Sequence, residues 1–151
     1  DLEAGQVVVI DNQARLDTTV WGDLLTSTAA RKQLAGTVID GICRDVDRAL
    51  ELNYPIFSQG NWMRTGKDRV RVEAIQAPVT LGGVRVQPDD WLRGDGDGLV
   101  VIPAGSLSEV LEVAEEIHQA EEHIRTAIEE GVPLRKARAD YGYHALQTPR
   151  R

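Results

Sequence analysis

Residues 37–47 read TVIDGICRDVD. Thr37, Val38 and Ile39 form a short run with no polar alternation, the pattern of a strand covered on both faces. Asp40-Gly41 has the chemistry of a turn and is enough to end such a strand. Arg44 and Asp45 are then left over, and a turn does not need them. Upstream, Val7-Val8-Val9-Ile10 is a second continuous apolar run, ending at Asp11-Asn12. Between the two runs, residues 21–34 have helical spacing, with Leu24, Leu25, Thr28 and Ala29 on one side and Arg31 and Gln33 on the other, and Ala35-Gly36 to stop it. A short helix over 46–52 and a third strand at Pro55-Ile56-Phe57 follow. Strand, helix, strand, helix, strand implies parallel pairing through crossovers, so the first half is α/β.

The second half changes character. Residues 59–69, QGNWMRTGKDR, are polar, basic and broken by glycine, and read as a loop. Residues 70–81, 84–86, 91–92 and 99–102 are β-rich and are separated by Gly82-Gly83, Pro88-Asp89-Asp90 and the run Gly94 to Gly98. This predicts a mostly antiparallel β meander. Ser106 or Ser108 is placed to cap a long C-terminal helix ending near Gly131, with an apolar stripe of Leu107, Val110, Leu111, Ala114, Ile117, Ile124, Ala127 and Ile128. A short helix at 134–139 leads into Tyr141-Gly142-Tyr143 and a polar, frayed tail. No internal repeat interrupts the 151 residues, which are read as a single domain, 1–151.

Seventeen basic against 24 acidic residues leave a net charge of −7. That balance opposes a nucleic-acid surface, which needs a basic stripe to displace counterions, and favours a protein or small-molecule partner. The apolar runs are too short to span a bilayer. The lone cysteine, Cys43, excludes an intramolecular disulfide framework and suits a reducing compartment, so a soluble, cytoplasmic protein is expected. The chain starts at Asp1 and enters a strand almost at once, which suggests that residues upstream are missing.

Sites in parallel α/β structure gather at the carboxyl ends of strands. Asp11, Asp40, Arg44 and Asp45 all follow strands, and Asp23, near the start of the first helix, belongs to the same edge. Carboxylates there suit Mg²⁺, which takes few protein oxygens. Arg44 could hold a carboxylate or a developing enolate oxygen in its planar fork. The N–H groups of Gly22, Asp23, Leu24 and Leu25 at a helix start form a candidate anion cradle. Spacing alone leaves the plain roles open: Asp23 as a helix cap, Asp11 and Asp40 as turn residues, Arg44-Asp45 as a solvated pair. Arg64, Lys67, Arg69 and Arg71 make a basic cluster that either receives a substrate's distal carboxylate or lines a subunit contact. Asp95-Gly-Asp97-Gly98 has the outline of a calcium loop, but the twelfth position is Ser106, so a hairpin turn is expected. His118 and His123, five apart, do not share a helix face and are read as surface residues. Cys43 is read as packing beside the site, and no glycine-rich nucleotide fingerprint follows the first strand.

WGDLL (21–25) with AGTVIDGICRDVD (35–47), PVTLGGVRVQPDDWLRGDGDGLVVIP (78–103) and LRKARADYGYH (134–144) together resemble the RraA-like family, which includes the class II 4-hydroxy-4-methyl-2-oxoglutarate / 4-carboxy-4-hydroxy-2-oxoadipate aldolases. The resemblance runs over nearly the whole chain. Its sharpest motif is an aspartate, twenty intervening residues, then Arg-Asp, met here by Asp23 and Arg44-Asp45. The family implies a swivelling β/β/α-type domain assembled as a homo-trimer or hexamer. It implies a metal-dependent lyase that cleaves a 4-hydroxy-2-keto acid to pyruvate through a metal-stabilised enolate, with oxaloacetate decarboxylation at the same site. Asp45 would then carry Mg²⁺ or Mn²⁺, Asp23 would act through metal-bound water, Arg44 would contact the pyruvoyl oxygen, and the Gly22 to Leu25 amides would hold the pyruvoyl carboxylate.

Two departures stand out. The family has a portion preceding the first strand seen here, and residues 61–68, NWMRTGKD, differ from the loop of the aldolases, so the substrate can differ too. The family also contains regulators that bind and inhibit ribonuclease E. These typically lack the first aspartate, so Asp23 favours the enzyme. An older label in the family, a menaquinone methyltransferase, finds no cofactor motif here.

Overall fold

The computed structural model describes residues 2–146. It contains two compact units, one up to Pro103 and one from Ala104 on.

In the first unit, β1 (Val7–Thr19), β2 (Gly36–Cys43) and β3 (Ile56–Asn61) form a parallel sheet in the order β1-β2-β3, joined by α1 (Asp23–Arg31) and α2 (Val46–Glu51). Alternate residues of the apolar runs serve opposite faces, as a doubly covered sheet requires. Val8, Ile10 and Ile39 pack with Trp21, Ala29, Leu34, Cys43 and Tyr54 on the helix side. Val7, Val9, Val38 and Phe57 pack with Leu81, Val86, Leu92 and Val101 on the other. That second cover comes from two antiparallel hairpins, β4 (Val79–Leu81) with β5 (Val84–Val86) and β6 (Trp91–Asp95) with β7 (Gly98–Ile102). Hairpins, parallel sheet and helices make a β/β/α layering. Gly94 sits against the Phe57 ring, where a Cβ would fall 2.4 Å from Cζ, so only glycine lets β6 cross there.

Several elements differ from the sequence expectation. Asp40-Gly41 does not end its strand: β2 runs on to Cys43, because β1 bulges outward between Asp11 and Thr19 and its Asn12 packs against Gly41, which has a φ of 151°. The bulge carries Gln13 and Ala14 at positive φ, so the polar stretch after Ile10 is still strand. Helix α1 stops before Ala35-Gly36: Gln33 adopts φ 57°, and the Leu34 and Gln33 N–H groups donate to the Ala29 and Ala30 carbonyls, a Schellman closure. The expected meander is two separate hairpins, and residues 70–78 form no strand. The Asp95 to Gly98 run is a hairpin turn, as expected.

In the second unit a 3-10 turn (Ala104–Ser106) leads into α3 (Leu107–Glu129), followed by α4 (Leu134–Asp140) and α5 (Tyr143–Leu146). Ser106 holds the N-cap position of α3, but its side chain makes no capping bond. Gly131, at φ 90°, ends α3 with N–H donation from Val132 to the Ala127 carbonyl. Ile124, Ala127 and Ala137 form the small core with Val132 and Tyr143. The apolar stripe of α3 is therefore buried only near its C-terminal end, and Val110 and Leu111 are exposed. His118 and His123 lie on the surface, His123 stacked on Tyr141. The tail beyond Leu146 lies outside the described residues.

Candidate active site

The crossover from β1 to β2 is closed by one backbone bond: the Arg44 N–H, just past β2, donates to the Trp21 carbonyl at 3.0 Å. Trp21 is itself fixed, because its indole N–H donates to the Thr26 hydroxyl, and that hydroxyl and the Thr26 N–H both bond the Gly22 carbonyl, each at 3.0 Å. Thr26 is fully buried, so this knot holds the start of α1 against the end of β2. The twenty-residue spacing is the length of one helix and one strand, and it brings Gly22-Asp23 alongside Arg44-Asp45.

Asp45 occupies the N-cap position of α2 in the left-handed conformation (φ 58°, ψ 42°), which non-glycine residues seldom adopt. It does not cap α2. Its Oδ2 instead accepts the backbone N–H of Asp23 at 3.1 Å and lies 3.6 Å from Arg44 Nε, with both charged side chains about 40% exposed. Gly22 makes room for this: a Cβ there would fall 2.8 Å from Asp45 Oδ2 and 3.1 Å from Arg44 Nε. Asp23 Oδ1 accepts the Leu24 N–H at 2.8 Å. Two amides of the expected anion cradle are thus engaged by the chain's own carboxylates, and a ligand anion would have to compete with them.

The other strand-end carboxylates have structural work. Asp11 accepts N–H groups from Gln13 and Thr80, tying β1 to β4. Asp40 accepts the Gln59 amide at 2.7 Å. Cys43 is buried, with its sulfur near the Ser58 hydroxyl and the Gly60 carbonyl. In the basic cluster, the Arg69 guanidinium donates to the Thr65 and Lys67 carbonyls and Arg71 pairs with Glu73. The Asp17 carboxyl is held below its usual range by its hydrogen bond from Arg15 first, with the charge of Arg64 acting in the same direction.

A cleft of about 270 Å³ opens beside Arg44, Asp45, Val46 and Asp47, and its far wall is Asn61, Trp62 and Met63. That wall is not foreseen from the sequence, which assigns these residues to a loop. In the structure β3 continues to Asn61, opposite Cys43, and the Trp62 N–H donates to the Cys43 carbonyl at 3.0 Å. The signal was the parallel register itself, since a partner of Thr37-Val38-Ile39 that runs as far as β2 must end beside Arg44. Asp23, Leu24 and Leu25 do not line this cleft. Among the described residues no three His, Cys, Asp or Glu side chains gather as a metal cage, so a cation here would rest on few protein oxygens.

A β/β/α layering with its charged groups at the carboxyl end of the central parallel strand defines a swivelling-type α/β domain. The chain belongs to the RraA-like family: residues 1–101 match its profile, described as Aldolase/RraA. It is 45% identical over 137 residues to Protein DlpA of Legionella pneumophila, covering 91% of this chain and 22% of that protein. It is 34% identical to a "Putative 4-hydroxy-4-methyl-2-oxoglutarate aldolase" of Halalkalibacterium halodurans, covering 85% of this chain and 60% of that one. The chain thus spans under two thirds of the length of these relatives. Among solved structures, an uncharacterized protein from Pseudomonas syringae superposes with a TM-score of 0.89 at 41% identity, over 91% of this chain and 68% of that one. Streptomyces coelicolor RraAS2, described as an unusual member of the RNase ES inhibitor RraA protein family, gives 0.74 at 33% identity, over 83% and 64%. No helix among the described residues is long and apolar enough to cross a membrane.

Proposed function

We propose that the chain is the catalytic domain of a divalent-metal-dependent carbon–carbon lyase that cleaves a 4-hydroxy-2-keto acid to pyruvate and also decarboxylates oxaloacetate. The observation that carries this reading is the convergence of Gly22, Asp23, Arg44 and Asp45, with Asp45 held in a strained backbone conformation that serves no cap. The donor set fits a hard cation: Asp45 Oδ1 accepts no hydrogen bond among the described residues and would hold Mg²⁺ or Mn²⁺, ions that need few protein oxygens. Such a cation on Asp45 would supply Lewis-acid stabilisation of the charge that forms on the substrate C2 oxygen.

The chain's own residues do the rest. Arg44 directs its guanidinium at the 2-keto oxygen and matches the growing negative charge. The free amides at the start of α1 orient the C1 carboxylate. Asp23 takes the proton of the 4-hydroxyl through an intervening water. The electron pair of the C3–C4 bond then passes into the pyruvate enolate, C4 becomes a carbonyl, and a proton returns to C3. Loss of CO₂ from oxaloacetate reaches the same enolate. We further propose a cytoplasmic homo-trimer or hexamer.

The test is pyruvate release from oxaloacetate, followed with lactate dehydrogenase, with Mg²⁺ and with EDTA. Enzyme-dependent release that EDTA stops is expected, and release no faster than Mg²⁺ alone would overturn the reading. A second reading rests on the likeness to RraAS2: a regulator that binds ribonuclease E by protein contact. Stable capture of ribonuclease E by a chain that releases no pyruvate would select it.

A further inference from the structure

The cleft wall opposite Arg44 has a composition the lyase reading does not use. Trp62 is 44% and Met63 83% exposed, two adjacent large apolar side chains on one wall of a cleft whose other side carries paired charges, the mixed lining typical of small-molecule sites. The β3 register and the Trp62 N–H bond to Cys43 fix this wall beside the charged pair, while Val46 and Asp47 form the side nearest α2. The charges lining the cleft are one cation, Arg44, and two carboxylates, Asp45 and Asp47. Arg64, Lys67, Arg69 and Arg71 do not line it. A 2-keto acid already brings one carboxylate for the α1 amides and a keto oxygen for Arg44. With the keto acid end engaging both Arg44 and a cation on Asp45, a second carboxylate at C4 would meet Asp47 and apolar surface.

We propose that Trp62 and Met63 form an apolar receptor for the C4 substituent, so that this site prefers 4-hydroxy-2-keto acids carrying an alkyl or aryl group at C4 over those carrying a carboxylate there. The proposal rests on the lyase reading, in which Arg44 and Asp45 hold the keto acid end. It separates this chain from the substrate in its relatives' printed names, since C4 of 4-hydroxy-4-methyl-2-oxoglutarate bears a carboxylate. Tryptophan and methionine suit the role because the ring offers a flat apolar face and the thioether adapts to varied shapes.

The test uses two ligands that lack the 4-hydroxyl and so cannot undergo the aldol cleavage: 4-phenyl-2-oxobutanoate and 2-oxoglutarate, titrated calorimetrically into the full chain with Mg²⁺. Wild-type protein should bind the phenyl compound at least tenfold more tightly. Trp62→Ala should reduce that ratio about tenfold, and Met63→Lys, at a position too exposed to disturb folding, should invert it. Equal or tighter binding of 2-oxoglutarate by wild type, or a ratio unmoved by either change, overturns the proposal. If oxaloacetate is still decarboxylated in that case, the lyase reading survives and the apolar receptor alone is lost. If no pyruvate forms and neither ligand binds, both fall together.

Discussion

Asp45 is the residue on which structure and chemistry separate most cleanly. Its positive φ costs on the order of 1 kcal/mol in a non-glycine residue, and asparagine tolerates that conformation as well as aspartate does. Asp45→Asn keeps an oxygen to accept the Asp23 N–H and removes only the charge. Circular dichroism and melting should therefore show a change within about 0.5 kcal/mol, while metal-dependent pyruvate release should fall on the order of 100-fold or more. A variant that unfolds would mean that the ion pair with Arg44 is a structural clasp. Gly22→Ala tests the same point from the other side. The new methyl would displace the flexible ends of Asp45 and Arg44 and no backbone atom. The fold should hold, and turnover should drop about tenfold or more because a misplacement of about an ångström is enough to spoil a catalytic geometry. Wild-type turnover in Gly22→Ala would show that these side chains need not sit where they do.

At the scale of elements, β2 is anchored at its start by the buried Thr37 hydroxyl, paired with the Tyr54 phenol at 2.9 Å. Tyr54→Phe leaves that hydroxyl without its partner and should cost about 1–2 kcal/mol in a denaturant titration. Burial raises the Tyr54 phenol above its ordinary range, with the Thr37 bond acting the other way. The folded state then holds the phenolic proton longer than the unfolded state, so the associated stability is intact below about pH 10 and is lost as pH rises through the raised value. Stability of wild type should decline above that pH more steeply than that of Tyr54→Phe, and parallel curves would contradict the assignment. The same strand shows what the sequence could and could not tell. Its apolar start and its parallel partners were readable because runs such as Val7 to Ile10 have no other use than a doubly covered sheet. Its continuation through Asp40-Gly41 was hidden, because the glycine answers to a bulge in β1 that has no local signature. The aspartate-to-Arg-Asp spacing exposed Asp23, Arg44 and Asp45, whereas Asn61, Trp62 and Met63 became visible only once register carried β3 beside them.

For the whole molecule, the surface left by a single chain bears on assembly. Residues 70–78 are expected to be strand on their β-favouring composition, and they have no strand partner among the described residues. Val72 and Ile75 are left about 80% exposed. Scattered exposed apolar residues are ordinary. An unpaired β-prone segment alongside two-stranded hairpins with open edges is less so, because such edges pair readily with another chain and a lone hairpin is marginal in water. Trp91 and Val100, on the β6–β7 hairpin, are exposed as well. These features are what the homo-trimer or hexamer proposed above would use, with a neighbouring chain expected to order residues 70–78. Sedimentation at micromolar concentration should give three or six times the chain mass of 16.6 kDa, and the melting temperature should rise with protein concentration, since subunits that bind only the folded form stabilise it by mass action. Val72→Glu with Ile75→Glu should shift the distribution toward monomer while far-ultraviolet circular dichroism stays unchanged. A wild-type chain that sediments as a monomer, with a melting temperature independent of concentration, would instead make residues 70–78 a solvated connection and remove the case for assembly from this surface.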